Sequence, residues 1–124
     1  MKFNIVGKGK AHTFMRRDIP IIRVYNNENS RYRAYFNKML FDHINFEKDS
    51  EVLWSFIDDD VFIAYKSFDS RFIGYRLIAS SDKSKNRYYV TIPKDITLSA
   101  GDYTVKEPIY DETHKIDWYK LIKI

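Results

Sequence analysis

Two stretches of the sequence place arginine and tyrosine side chains at a spacing that suits a phosphate-bearing polymer. SRYRAYFNKM at 30–39 and NRYYVTIPKD at 86–95 align without a gap. Side chains alternate across a strand, so each stretch has an apolar face and an opposite face. The residues on the opposite face are Arg31, Arg33 and Tyr35 in the first copy and Arg87, Tyr89 and Thr91 in the second.

This mixture of guanidinium groups and phenol rings predicts binding of single-stranded DNA. Arginine neutralises phosphates, and aromatic rings offer faces on which unpaired bases stack. The other candidate binding residues are basic: Lys8, Lys10, Arg16 and Arg17 near the N-terminus, and Arg23 and Arg76 in two further predicted strands. A purely structural role is the alternative, since tyrosine is common in strands and arginine covers its neighbours with its alkyl stem.

Spacings typical of an enzyme or a metal site are missing from the sequence. There is no cysteine, and His12, His43 and His114 lie far apart. The three aspartates at 58–60 fall between two apolar segments, where a solvated hairpin turn is expected. We therefore predict a protein that is not an enzyme, with no catalytic residue, no metal and no cofactor.

Charge is distributed unevenly along the 124 residues. Residues 1–38 contain nine Lys/Arg and two acids, whereas residues 39–65 contain one Lys and seven acids. This distribution predicts one positive face, which would attract phosphates, anionic lipid head groups or acidic proteins. The absence of cysteine, of an apolar leader and of a membrane-length apolar run leads us to expect a cytoplasmic protein without membrane contact.

Period-two alternation over most of the chain predicts a single, mainly β domain, a β-rich α+β fold. Strands are predicted at 2–6, 12–17, 19–25, 31–37, 51–57, 61–66, 71–79, 87–93, 103–110 and 117–124, and short helices at 38–46 and 94–102. Asn37 is the predicted cap of the first helix. The order suggests an internal duplication, with units at about 1–47 and 51–101 and closing strands at 103–124, forming curved sheets or a barrel.

The repeated order of four strands and a helix resembles the Whirly and positive-cofactor-four group of single-strand-binding folds. The resemblance is topological and covers the first ~100 residues. It implies binding of single-stranded DNA on a sheet. The sequence departs from the group in the shortness of both helices and in its two additional closing strands.

A second resemblance is carried by RYYVTIPKDITLSAGDYTV at 87–105. This stretch is similar to the core of the SpoVT/AbrB-like swapped-hairpin transcription regulators, and 31–54 is a weaker copy in which Asn37 stands where the proline would be. The resemblance implies binding of duplex DNA. The residues at the matching positions are Arg23, Arg31, Arg76 and Arg87.

These observations leave three function classes open. We expect a DNA-binding protein that prefers single strands to duplex, of the kind used in replication or recombination by a phage or mobile element. The first alternative is an AbrB-like regulator of duplex DNA. The second is a structural or protein-interaction module that uses the acidic segment 42–60. Unsealed edge strands predict a homo-oligomer.

Overall fold

Two antiparallel sheets and one helix make up the fold in the computed structural model, which describes residues 2–4, 15–25, 32–47, 49–66, 71–80 and 87–124. The helix is α1 (Lys38–Ile44). The strands are β1 (Ile22–Tyr25), β2 (Arg33–Asn37), β3 (Glu51–Ile57), β4 (Asp60–Tyr65), β5 (Tyr75–Arg76), β6 (Ile78–Ala79), β7 (Arg87–Thr91), β8 (Gly101–Thr104), β9 (Ile109–Asp111), β10 (Ile116–Lys120) and β11 (Ile122–Lys123). The mainly β prediction is confirmed.

The six-stranded sheet has the order β11-β8-β1-β2-β7-β6, and the five-stranded sheet has the order β5-β3-β4-β10-β9. The short segment from β5 to β6 passes from the second sheet to the first, because Tyr75 pairs with Val52 and Ile78 pairs with Tyr89. The described strands form two open sheets and no closed barrel.

The core lies between the sheets and is filled by the apolar face of each strand. Ile22, Phe36 and Val90 from the first sheet and Val52 and Ile63 from the second are fully buried. Burying each of these side chains contributes about 1.5–3 kcal/mol. The alternation that buries Phe36 and Val90 necessarily turns their neighbours in sequence toward the outer face of the six-stranded sheet.

Asn37 joins β2 to α1 and confirms the predicted helix cap. Its side-chain oxygen accepts hydrogen bonds from the amides of Leu40 (2.9 Å) and Ile21 (3.0 Å). Its amide nitrogen donates to the carbonyls of Arg16 (2.8 Å) and Ile19 (2.7 Å). All four groups that this buried side chain can use are therefore satisfied, and the segment before β1 is tied to the end of β2.

The second predicted helix, at 94–102, is wrong. One turn bond joins the amide of Ile96 to the carbonyl of Pro93, and residues 96–99 then have no regular secondary structure. The amide of Leu98 donates to the Tyr32 hydroxyl at 2.8 Å, which holds this segment against the core. Gly101 does not end a helix but opens β8, with a φ of 136° that favours glycine. The predicted duplication is not shown by the fold.

Several strand boundaries also differ from those predicted. Residues 2–4 and 15–17 are not in strands, and the rest of the predicted strands at 2–6 and 12–17 lies outside the described residues. The predicted strand at 71–79 is two short strands, because its halves pair with different sheets. The predicted strand at 103–110 is interrupted before β9, next to Pro108, which has no amide donor. In the described ranges, no helix is both long and apolar enough to cross a membrane.

Candidate nucleic-acid interface

The two copies of the basic and aromatic pattern lie side by side at the centre of the six-stranded sheet. β2 and β7 pair antiparallel, and Tyr35 stands directly opposite Tyr89. Arg33 is two residues from Tyr35 on β2, and Arg87 is two residues from Tyr89 on β7 at the other end of the pair. All four side chains share the outer face because residues two apart in a strand point the same way.

The tyrosine pair is covered by the two arginines in a crossed arrangement. The Arg33 Cζ lies 4.6 Å from the centroid of the Tyr89 ring, and the Arg87 Cζ lies 4.8 Å from the centroid of the Tyr35 ring. The two ring centroids are 5.7 Å apart. Each guanidinium thus reaches diagonally across the strand pair and lies over the ring of the other strand, within the range of a cation–π contact.

Neither guanidinium is neutralised by a carboxylate among the described residues. The Nε atoms of Arg33 and Arg87 are buried and have no hydrogen-bond partner in that part of the chain. Each arginine therefore uses its stem and ring contact to hold its position, while no described carboxylate neutralises its charge. An arginine in this state is available to an external anion.

Tyr25 extends the same face onto β1. It pairs with Arg33, and its ring meets the Tyr35 ring edge-on with the centroids 5.3 Å apart. The Tyr25 side chain is 41% exposed, so one side of its ring is open to solvent. We name the surface formed by Tyr25, Arg33, Tyr35, Arg87 and Tyr89 the arginine–tyrosine face.

Arg23 also points to this side of the sheet, but its charge is neutralised. Its Nε and one Nη donate to the two carboxylate oxygens of Asp102 at 2.7 and 2.9 Å. The Arg23 side chain is 12% exposed. Hydrogen bonding from Arg23 lowers the pKa of the Asp102 carboxyl, and the same ion pair raises the pKa of Arg23. Arg23 therefore reads as a structural cross-strand partner of β8, not as a free cation.

Other predicted binding residues lie away from the arginine–tyrosine face or have local partners. Arg76 lies on β5 in the other sheet and donates to Asp49 at 2.6 Å. Arg16 forms an exposed pair with Asp18 at 2.7 Å. Arg17 is exposed before β1. Lys8, Lys10 and Arg31 lie outside the described residues.

The acidic segment 42–60 does not cover the arginine–tyrosine face. Several of its carboxylates have cations of their own: Asp42 pairs with Lys38, Glu51 with Lys66 and Asp60 with Lys120. A neutralising contact between this segment and Arg33 or Arg87 would have argued against an anion-binding face, and no such contact exists among the described residues.

The two described histidines have separate local partners and do not belong to a metal-binding group. His43 lies with its Nε2 3.5 Å from the carbonyl oxygen of Lys106 and its ring edge-on to Tyr119. His114 Nδ1 lies 2.6 Å from Asp111, and this hydrogen bond lowers the pKa of the Asp111 carboxyl. In the described ranges, no group of three or more His, Cys, Asp or Glu side chains could hold a metal ion.

Sequence reasoning missed Tyr25 and the pairing of the two copies with each other. The signal for Tyr25 was its spacing of two residues from Arg23 in IIRVY, which puts both on one face. The pairing of β2 with β7 depends on contacts between residues far apart in sequence, for which the alternation alone contains no information.

No family model matches the chain, and no curated protein or solved structure matches it significantly. The resemblances to single-strand-binding folds and to swapped-hairpin regulators therefore stay predictions. The arginine–tyrosine face is the feature from which a function can be inferred.

Proposed function

We propose that the protein binds single-stranded DNA on the arginine–tyrosine face, without catalysing a reaction on it. The observation that supports this most is the state of Arg33 and Arg87, two guanidiniums held over tyrosine rings with no carboxylate beside them in the described part of the chain. Phosphates would supply the missing counterions, and release of ions from the polymer would favour binding.

Base stacking is stronger than a cation–π contact, so a base can replace an arginine on the ring of Tyr35 or Tyr89. An exposed cation–π contact contributes about 0.5–1 kcal/mol. Stacking of an unpaired base on an aromatic side chain contributes about 1–3 kcal/mol. A base can therefore displace a guanidinium from Tyr35 or Tyr89, and the displaced guanidinium can then bind a phosphate. A base can also stack on the guanidinium plane itself.

The same geometry favours a single strand over a duplex. In a duplex the bases are stacked on each other, so the tyrosine rings would have nothing to stack on, and only the arginines would contribute through the phosphates. A sheet with rings at its centre and cations on both sides of them is a common arrangement for unpaired nucleic acid.

A titration with two labelled probes tests the proposal. Fluorescence anisotropy with oligo-dT and with a random duplex of equal length should show tighter binding of oligo-dT, with an affinity that falls as salt is raised. Tighter binding of the duplex would reject the stacking mechanism in favour of a duplex-binding protein. Binding of neither probe at low salt would reject the function.

A further inference from the structure

The edge of the five-stranded sheet is open along most of β3. β5 covers only Glu51 and Val52, which pair with Arg76 and Tyr75. Beyond them, residues 53–57 are paired with β4 on one side only, among the described residues. Unpaired strand edges of this kind are templates for another strand.

The direction of the backbone groups follows from the neighbouring hydrogen bonds. The Glu51 carbonyl accepts from Lys66 on the β4 side, and the Ser50 carbonyl accepts from Leu77 on the β5 side. Alternate residues of an antiparallel strand bond to opposite sides. The N–H and C=O groups of Trp54 and Phe56 therefore face the open edge, whereas those of Leu53, Ser55 and Ile57 face β4.

An apolar cavity of about 610 Å³ runs beside this edge. Its lining includes Trp54, Phe56, Ile57, Phe72 and Ile73. Phe56 is 55% exposed, Ile57 64% and Ile73 88%, so large apolar side chains at the cavity are open to solvent. Large exposed apolar patches mark sites of interaction.

Carboxylates lie at the cavity and at the end of the strand beside it. Asp95 lines the cavity, and Asp58 and Asp59 directly follow β3. We call these three carboxylates the rim. These three have no ion-pair partner among the described residues, in contrast to Asp60, which pairs with Lys120 at 3.4 Å, and Asp111, which pairs with His114. The rim therefore carries uncompensated negative charge, which selects a cationic occupant.

We propose that β3 accepts an extended peptide segment of a partner protein as an added antiparallel strand. The peptide would bond to the N–H and C=O groups of Trp54 and Phe56, place alternate apolar side chains in the cavity and carry lysine or arginine at its amino end, beside Asp58 and Asp59. Main-chain bonds would supply affinity, and the cavity and rim would supply specificity. This site is independent of the arginine–tyrosine face.

A second copy of the chain fits this edge poorly. An antiparallel pair of β3 strands centred on Ser55 would put Trp54 opposite Phe56 of the other copy. Asp58 would then come opposite Val52, on the side that β5 already occupies. Two copies would also bring no cation to Asp58 and Asp59 from the added strand, since residues 51–57 contain no Lys or Arg. A basic foreign segment avoids both conflicts.

The test uses a labelled heptapeptide with valines at alternate positions and two lysines at its amino end. Fluorescence polarisation should show saturable binding by the full chain. Phe56→Pro removes the edge-facing N–H without touching a bond to β4 and should weaken binding at least about fivefold relative to Phe56→Thr, which removes the same ring but keeps the N–H. A peptide with glutamates replacing the lysines should bind the wild-type protein more weakly than the lysine peptide does.

Equal binding by Phe56→Pro and Phe56→Thr, equal binding of the glutamate peptide, or no binding by the wild-type protein would each overturn the proposal. If Phe56→Pro fails to fold by circular dichroism, the same comparison is made on the wild-type protein. The heptapeptide is then N-methylated at the residues opposite Trp54 and Phe56. Loss of binding on methylation supports strand addition, and unchanged binding overturns it.

Discussion

The arginine–tyrosine face and the open edge of β3 both belong to antiparallel sheets, but they carry charges of opposite sign. The first leaves Arg33 and Arg87 without carboxylates, and the second leaves Asp58 and Asp59 without cations, among the described residues. The first offers ring faces and charge, whereas the second offers backbone bonds and an apolar cavity. Strands of the same antiparallel type thus present different chemical groups, depending on their outward residues and their local pairing.

A comparison within the six-stranded sheet shows the same point at single residues. Arg23 and Arg33 both lie on its outer side, on neighbouring strands. Arg23 has Asp102 across from it on β8, and the two form an ion pair. Arg33 has Thr91 across from it on β7 and lies over the Tyr89 ring. The residue on the adjacent strand therefore determines whether an outward arginine forms an ion pair with a described carboxylate.

The largest expected effect is on the free energy of unfolding, and it comes from disrupting the hydrogen bonds of the Asn37 side chain at the end of β2. Asn37→Asp turns a donor into a carboxylate oxygen that faces the carbonyls of Arg16 and Ile19. A buried carboxylate oxygen that faces two carbonyl oxygens and has no donor should lower the free energy of unfolding by about 3 kcal/mol. Urea denaturation measures this loss.

The matched control for that variant is Asp42→Asn, which removes an exposed charge paired with Lys38 on the same helix. It should change the free energy of unfolding by less than about 0.5 kcal/mol. Similar losses for the two variants would contradict the role assigned to Asn37.

Removal of the Tyr35 or Tyr89 ring should weaken the binding of single-stranded DNA more than the binding of duplex DNA. Tyr35→Ala and Tyr89→Ala should each weaken binding of oligo-dT by about 1–3 kcal/mol, roughly 5- to 150-fold, because each removes a stacking surface. Duplex binding should change much less. Anisotropy titration measures both, and Tyr110→Ala is the control, since that exposed tyrosine lies on β9 in the other sheet. Equal losses on the two probes would argue against stacking.

Asp102→Asn tests whether the carboxylate beside Arg23 is what distinguishes this arginine from Arg33. The substitution removes the carboxylate that neutralises Arg23, so the six-stranded sheet gains positive charge and oligo-dT should bind more tightly at low salt. Stability should fall by about 2 kcal/mol because charged hydrogen bonds are lost in a partly buried site. Opposite changes in affinity and stability are the expected result. Weaker binding of oligo-dT would show that Arg23 needs its partner to bind.

A smaller effect should appear in the pH dependence of the stability that the Arg23–Asp102 ion pair contributes. Hydrogen bonding from Arg23 lowers the pKa of the Asp102 carboxyl in the folded protein. Its contribution to stability is therefore complete above the ordinary carboxyl pKa of about 4 and is lost as the pH falls through the lowered folded value. The difference in unfolding free energy between wild type and Asp102→Asn should be constant from pH 7 to 5. It should shrink below about pH 4. A constant difference down to pH 2 would contradict the lowered pKa.

The elements that sequence reasoning recovered are those with a strong local signal. The strand at 51–57 and the start of the strand at 87 match the structure, because alternation over five to seven residues fixes both the element and its faces. Asn37 was found as a cap because an asparagine before an apolar helical pattern has a local hydrogen-bonding role. The apolar faces of both repeated strands were also assigned correctly, as the burial of Phe36 and Val90 shows.

The remaining features depend on contacts that are distant in sequence. The irregular segment at 96–98 is held by the hydrogen bond between Leu98 and Tyr32, which no local pattern indicates. The contrast between Arg23 and Arg33 depends on which strand lies alongside, and so it could not be read from either strand alone. The open edge of β3 likewise exists because β5 is only two residues long and then crosses to the other sheet.

The most direct test of the account compares two pairs of arginines that carry the same charge. Arg33→Ala with Arg87→Ala removes the two guanidiniums of the arginine–tyrosine face, and Arg16→Ala with Arg76→Ala removes two that have carboxylate partners elsewhere. Oligo-dT affinity is measured against salt for both. The account predicts that the first pair lowers the slope of log affinity against log salt by about 1.4, at roughly 0.7 per phosphate contact, while the second leaves it nearly unchanged. Equal slopes for the two pairs would mean that net charge alone drives binding and would contradict the assignment of the arginine–tyrosine face.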